Sequence, residues 1–267
     1  MSLTANYHTH TTYCDGKSSP REIIDHALKI GFTHLGFSGH MDADVHMDIR
    51  KYVDEIHRLQ NEYKDRICIL CGVEWDNLYD TSCVDGMDFV IGSTHFLDVQ
   101  YKRPLSIDNT LEEVVLLCNE FYEGDYYKLC KEYFELECGI IDKYPCTFIG
   151  HFDLVSKFNN VLHFVDEEDP RYLRPAYEAM EYIVKKGIPF EINTKEAYKQ
   201  KLFPSKTLLK QLYSLDGEIV ISSDAHKAKD LNSGFEYAIQ IARECGFGHT
   251  NILDMKNGKL KLLQVGL

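Results

Sequence analysis

Residues 67–74 read Ile-Cys-Ile-Leu-Cys-Gly-Val-Glu, a strand-length apolar run that stops at a carboxylate. A charge at the end of a buried strand is costly unless it is paired or bound to a cation. The same signature recurs along the chain. Residues 6–10 end in His8-Thr9-His10, residues 34–38 lead into Gly39-His40, and residues 89–95 end at His95. Residues 147–151 end at His151 with Asp153 two positions on, residues 189–193 close on Asn193, and residues 219–223 run into Asp224-Ala225-His226. Side chains alternate along a strand, so His8 and His10 share one face, and so do Asp224 and His226.

Helical periodicity fills the intervals. Ile23, Ile24, Ala27 and Leu28 mark one amphipathic helix, and Tyr52, Val53, Ile56, Leu59 and Tyr63 mark another. Residues 111–143 are helix-rich with a break near Gly124, and Leu173, Ala176, Met180, Ile183 and Val184 mark a helix ended by Gly187. Helices over 205–215 and 231–245 complete the set, with Ser205 and Asp230 as expected caps, and Lys256-Asn257-Gly258-Lys259 reads as a hairpin turn. Strand and helix alternate as in a parallel barrel or a doubly wound sheet. A barrel draws functional groups from the ends of many different strands, and here nearly every strand ends in a ligand-type residue, which favours the barrel.

Taken singly, each of these residues has a plain explanation: surface histidines on an edge strand, or a histidine in a loop. Recurrence carries the argument. Six of the twelve histidines fit the scheme, while His26, His34, His46, His57, His163 and His249 are expected to be solvated or structural. Cys68-Ile69-Leu70-Cys71 has redox or zinc spacing but sits inside an apolar strand, where core packing is the expected role. Nine cysteines without a framework fit free thiols in a reducing cytosol. A net charge of −13 argues against a protein that coats nucleic acid. No apolar run is long enough for a membrane span. These features describe one domain over residues 1–267, cytoplasmic, with mixed His/carboxylate ligands suited to a catalytic metal site rather than a closed structural zinc.

The ordered set His8-Thr9-His10…Asp15-Gly16, His40, Glu74, His95, His151 and Asp224-Ala225-His226 resembles the polymerase and histidinol phosphatase (PHP) superfamily. Gly72-Val73-Glu74, Gly92-Ser93-Thr94-His95-Phe96, Gly150-His151-Phe152-Asp153-Leu154 and Glu191-Ile192-Asn193-Thr194 are similar to its histidinol-phosphate phosphatase branch. The resemblance implies a distorted (βα)7 TIM-like barrel and three divalent ions of zinc, manganese or iron at the C-terminal ends of the strands. It places His8, His10, Glu74 and Asp224 on the first ion. Glu74 bridges to a second held by His95 and His151, and Asp15, His40 and His226 hold the third. Glu74, Asp224 and His226 then stand at the reacting centre. Two positions depart from the pattern: Gly39 precedes His40 where relatives often carry Asp, and Asp15 stands where some carry His.

The activity so implied is hydrolysis of a small phosphomonoester, L-histidinol phosphate in the first instance, by a metal-bridging hydroxide. Lys157, Lys199, Lys201, Arg171 and Arg174 are the candidates for gripping phosphate, with Ser156-Lys157 where the branch often has Arg-Lys. Asp42, Asp44 and Asp153 are available for the ammonium and imidazole of histidinol. The alternatives are another small phosphomonoester as substrate, a DNA-directed nuclease, a non-catalytic scaffold, and an amide or lactone hydrolase. Hydrolases of that last kind commonly rely on a bridging lysine, which these strand ends do not supply.

Overall fold

The computed structural model of the protein describes residues 3–256 and 258–267. Seven parallel strands form one sheet in sequential order: β1 (Ala5–Asn6), β2 (His34–Met41), β3 (Cys68–Asp76), β4 (Phe89–Ser93), β5 (Phe148–Ile149), β6 (Phe190–Asn193) and β7 (Ile219–Ser222). A parallel bridge between Thr9 and Ala225 brings the first and last of these together. It is fastened by His10 N–H to Ala225 O (2.8 Å) and Ala225 N–H to His8 O (3.0 Å). The result is a seven-stranded TIM-like barrel, made uneven by the two-residue β1 and β5 beside the eight-residue β2 and nine-residue β3.

The connecting helices wrap the outside: α1 (Pro20–Lys29), α2 (Ile49–Tyr63), α3 (Leu111–Phe121), α4 (Tyr126–Lys143), the single turn α5 (Asn159–Leu162), α6 (Pro170–Lys185), α7 (Lys206–Ser214) and α8 (Phe235–Cys245). Local sequence explains their ends. Ser19 and Glu22 form a reciprocal capping box at the start of α1, and Gly124, at φ 75°, separates α3 from α4. Ser205 caps α7 as expected.

The expected helix over 231–245 is shorter, beginning at Phe235 with Gly234 rather than Asp230 before it. The four residues ahead of α8 are held in a non-helical path by tertiary hydrogen bonds. Asn6 Nδ2 donates to Leu231 O (3.0 Å) and Thr194 Oγ1 to Ser233 O. Asp230 lies instead in a short 3-10 turn.

Two cores result from strand alternation. Outward residues such as Leu35, Phe37, Cys71, Val73 and Trp75 pack under the helices. Inward residues Tyr7, Leu70, Phe89, Ile91, Phe148 and Val220 fill the barrel itself. Phe89 dominates that interior, and a Cβ on Gly72 would fall 2.4 Å from its ring, so glycine at 72 makes the room. The lower end is closed by an antiparallel hairpin, β8 (His249–Lys256) and β9 (Lys259–Gly266). Leu253 enters the inner core, and Tyr7 Oη donates to its carbonyl (3.0 Å) and accepts from its N–H (2.8 Å). The strands flank the expected turn at 256–259, of which Asn257 lies outside the described residues.

One buried group is not explained by packing. Glu137 of α4 is fully buried beside Thr94 and Tyr133, and its two carboxylate oxygens have no aligned hydrogen-bond partner. Burial pushes its pKa from 4.5 up to about 8. An unfolded chain releases this proton near pH 4.5 while the folded chain keeps it to about pH 8. Stability therefore falls as pH climbs through that window. Glu137→Gln should remove that fall, gaining roughly 2–5 kcal/mol over wild type between about pH 5 and pH 8.5, at about 1.4 kcal/mol per unit of separation. Urea-denaturation midpoints that shift with pH by the same amount in the two proteins would contradict it.

Candidate metal centre

The C-terminal ends of the strands deliver their polar side chains to one mouth. His40 and Glu74 are register partners on β2 and β3, so they leave the sheet side by side. Asp224 follows β7 in a left-handed conformation (φ 50°) that an Asp tolerates, and this turns its carboxylate towards the mouth. A cavity of about 380 Å³ opens above, lined by Asp15, His40, Glu74, His95, His151, Asp224 and His226 among others. His8 and His10 lie fully buried beneath it.

Glu74 is the centre of the arrangement. Its Oε1 lies 2.8 Å from His151 Nε2 and 3.2 Å from His95 Nε2. Its Oε2 lies 3.1 Å from His8 Nε2, 3.4 Å from His10 Nε2 and 3.1 Å from His40 Nδ1. One carboxylate thus presents each oxygen to a different set of imidazoles. Asp224 Oδ1 approaches His10 Nε2 (3.2 Å), His226 Nδ1 (3.3 Å) and Lys195 Nζ (3.1 Å). Asp15 Oδ2 meets His226 Nε2 at 2.8 Å and lies 4.0 Å from His40 Nε2.

These groups fit cations better than they fit one another. His8 Nε2, His10 Nε2, His40 Nδ1, His95 Nδ1, His151 Nδ1, Asp15 Oδ1 and Glu74 Oε2 are buried without an aligned hydrogen-bond partner. Such atoms are rare in proteins unless something is bound to them. Ligand atoms within 4.8 Å of one another form sets: His10, Asp15, His40 and His226; His8, His10 and Glu74; His40, Glu74 and His95; His8, His151 and Asp224. The rings are also crowded, with His10 and His226 stacked at 4.1 Å and His10 and His40 at 4.4 Å. Burial alone would raise the pKa of Glu74, but His8, His40, His95 and His151 hold it well below the usual carboxylate range. Burial likewise opposes ionisation of Asp224, and Lys195 and His8 overcome it. The site therefore gathers ionised carboxylates and imidazole nitrogens, the donor set of a divalent metal site.

Behind the ligands stands a residue whose role the sequence did not reveal. Glu191, fully buried on β6, accepts from His8 Nδ1 (2.7 Å), Ser222 Oγ (2.6 Å), Asn193 Nδ2 (3.0 Å) and the His151 N–H (2.8 Å). Fixing the proton of His8 on Nδ1 leaves Nε2 free to coordinate. Asp76 stands behind His95, accepting from its backbone N–H at 2.8 Å, with the ring Nδ1 3.4 Å from the same oxygen. Lys195 continues the inward series Glu191, Asn193 past the end of β6, and the period of two was the available signal for it.

The candidates for phosphate and substrate separate clearly. Lys157 lines the cavity, held by Asp108 O (2.7 Å) and Oδ2 (3.0 Å), and Lys195 lines it too. The other four cations do not reach it. Lys199 pairs with Glu196 at the surface, and Lys201 turns away to donate to Ser156 O. Arg171 and Arg174 belong to the outer surface of α6, where Arg171 binds Asp169 over the Tyr127 ring and Arg174 faces Glu178. Asp42 and Asp44 line the cavity, but Asp153 is sealed beneath it, accepting from the Ser205 N–H, with burial raising its pKa to about 7.

If Glu191 sets the tautomer of His8, Glu191→Ala should weaken metal affinity about 10–100-fold, the usual scale for losing such a partner. Isothermal titration with zinc would read this, and an unchanged affinity would remove Glu191 from the site.

The model of the PHP domain family matches residues 6–195. A Deinococcus radiodurans protein named "Probable histidinol-phosphatase" is 29% identical over 92% of this chain and 95% of its own length. The Bacillus subtilis histidinol-phosphatase is 24% identical over 86% of this chain and 96% of its own. The crystal structure of histidinol phosphate phosphatase from Lactococcus lactis, complexed with zinc, L-histidinol and phosphate, superposes with a TM-score of 0.73. The two are 23% identical, and the match covers 97% of this chain and 100% of that one, which establishes a shared fold. Barrel, strand-end ligands and family match agree, and the chain belongs to the PHP domain family.

Proposed function

We propose that this protein is a metal-dependent phosphomonoesterase that hydrolyses L-histidinol phosphate to L-histidinol and inorganic phosphate, with the barrel as its single catalytic unit. The observation that carries this reading is the division of Glu74, whose two oxygens face separate histidine sets under a small cavity. The relatives named as histidinol-phosphatases support the substrate.

In this reading His8, His10, Glu74 and Asp224 hold one cation, Glu74 with His95 and His151 a second, and Asp15, His40 and His226 a third, zinc, manganese or iron. Bound divalent ions lower the pKa of a coordinated water and neutralise phosphate oxygens. The chain's own groups do the rest. Lys195 and Lys157 stand on the cavity wall where they can meet the non-bridging oxygens of a phosphate, which carry the charge in the transition state. Asp42 and Asp44 add negative charge to the lining, where Asp108 is paired with Lys157. That polarity suits a substrate with an anionic phosphate and a cationic amine and imidazole. A cavity of about 380 Å³ suits a small molecule rather than a nucleic-acid strand, as does the net charge of −13. A second substrate class, another small phosphomonoester, is favoured by one feature. The described lining contains lysines but no arginine fork, so the phosphate is met by point charges of lower geometric selectivity.

Three outcomes are expected. In a phosphate-release panel of histidinol phosphate, nucleotides and sugar phosphates, histidinol phosphate should have the highest kcat/KM. A nucleotide in first place would reassign the substrate, and no release by metal-loaded protein would end the phosphatase reading. Glu74→Gln should abolish turnover with loss of at least one metal per chain by elemental analysis, so wild-type activity and metal content in that variant would refute the scheme. Lys195→Met should lower kcat/KM by about 10²–10³-fold if it stabilises the transferring phosphoryl group. An unchanged value would place it outside the reaction.

A further inference from the structure

The inward ladder of β2 and β3 ends in His40 and Glu74, and it begins in another pair of ligand-type residues. His34 and Cys68 are register partners at the opposite end of the same two strands. Each lies an even six residues from its upper counterpart, so it shares the inward face, about 20 Å away at ~3.3 Å per residue. The hairpin strand β8 crosses this lower mouth and brings Asp254 to the same point. Ligand atoms of His34, Cys68 and Asp254 all lie within 4.8 Å of one another. His34 Nε2 stands 3.5 Å from Asp254 Oδ1, too far for a good hydrogen bond. Thr33 Oγ1 lies 2.9 Å from His34 Nδ1, which turns the free Nε2 towards the other two. A cavity of about 680 Å³ opens beside them, bordered by Cys68, Asp88, Asp254 and Met255, and shares no lining residue with the cavity at the upper mouth.

We propose that His34, Cys68 and Asp254 form a second, structural metal site that takes one borderline-soft divalent cation of the zinc type and staples the hairpin to the barrel floor. Thiolate, imidazole and carboxylate together favour such an ion over magnesium or calcium. Three protein ligands leave the fourth tetrahedral position to a water from the adjoining cavity. On binding, the Cys68 S–H bond breaks, its proton goes to solvent and a metal–sulfur bond forms, so no oxidant or reductant is required. The ends of the staple are far apart in sequence, and tying β8 to β2 and β3 stabilises the folded state alone, by mass action. His34 and Cys68 then have a ligand role in place of the structural and core-packing roles that their isolated sequence positions suggest.

The thiolate gives this site a signature distinct from the His/carboxylate centre. Protein produced in zinc-depleted, cobalt-supplemented medium should show a near-ultraviolet sulfur-to-cobalt charge-transfer band. The band should persist in Cys14→Ser, whose sulfur lies near His10, and vanish in Cys68→Ser together with one cobalt per chain. Asp254→Asn should lose the same equivalent while retaining phosphatase activity and the visible cobalt absorption of the upper mouth. Equal cobalt content and identical spectra in wild type, Cys68→Ser and Asp254→Asn would overturn the proposal.

Discussion

Glu74 is a carboxylate sealed inside a protein, and the rest of the structure answers to it. An unpaired anion at that depth would be prohibitive, since burial opposes its ionisation. The barrel resolves the problem by convergence, because parallel strands ending at one rim can each supply a donor without any strand having to bend towards another. Five imidazoles reach the two oxygens of Glu74 from four separate strand ends. Such a cluster makes little sense as a set of neutral hydrogen bonds, because several of its buried nitrogens have no aligned partner. Cations supply what the protein alone leaves missing, and the positions of the ligands are fixed by the sheet rather than by the ions.

That division of labour sets the chemistry. Strand ends hold the ligands, Glu191 orients the His8 ring and Asp76 anchors the His95 backbone from behind, and Lys157 and Lys195, paired with Asp108 and Asp224, stand on the wall. Electrostatic stabilisation of a phosphoryl group depends on donors that are in place before the reaction begins. A carboxylate held by four hydrogen-bond donors, as Glu191 is, cannot easily swing away, so the imidazole it grips stays aimed.

Much of this was legible in the chain because strand alternation makes a strict promise: residues two apart share a face. His8 with His10 and Asp224 with His226 are readable on that ground, and every expected strand has a counterpart in the sheet. What resisted reading depends on contacts between distant segments. Lys199 and Lys201 keep the parity of Lys195 along the chain after β6, but the 3-10 turn over Ala197–Lys199 carries them off the inward face. The start of α8 depends on a hydrogen bond from Asn6, more than two hundred residues earlier. Glu191 looks like any polar residue in a strand until His8 and His151 are seen around it. The lower triad is hidden for a similar reason, since His34, Cys68 and Asp254 come from three separate elements, one of them the hairpin.

The bond between Tyr7 and Leu253 joins positions 246 residues apart. The barrel's first strand therefore has its floor supplied by an element distant in sequence. Without Leu253 in place, the inner aromatic cluster of Tyr7, Phe89 and Phe148 has an open end. Long-range closure of this kind is slow and exposes apolar surface meanwhile. Sealing this barrel is therefore a long-range step, because its floor comes from a segment almost the whole described chain away from the strand it supports.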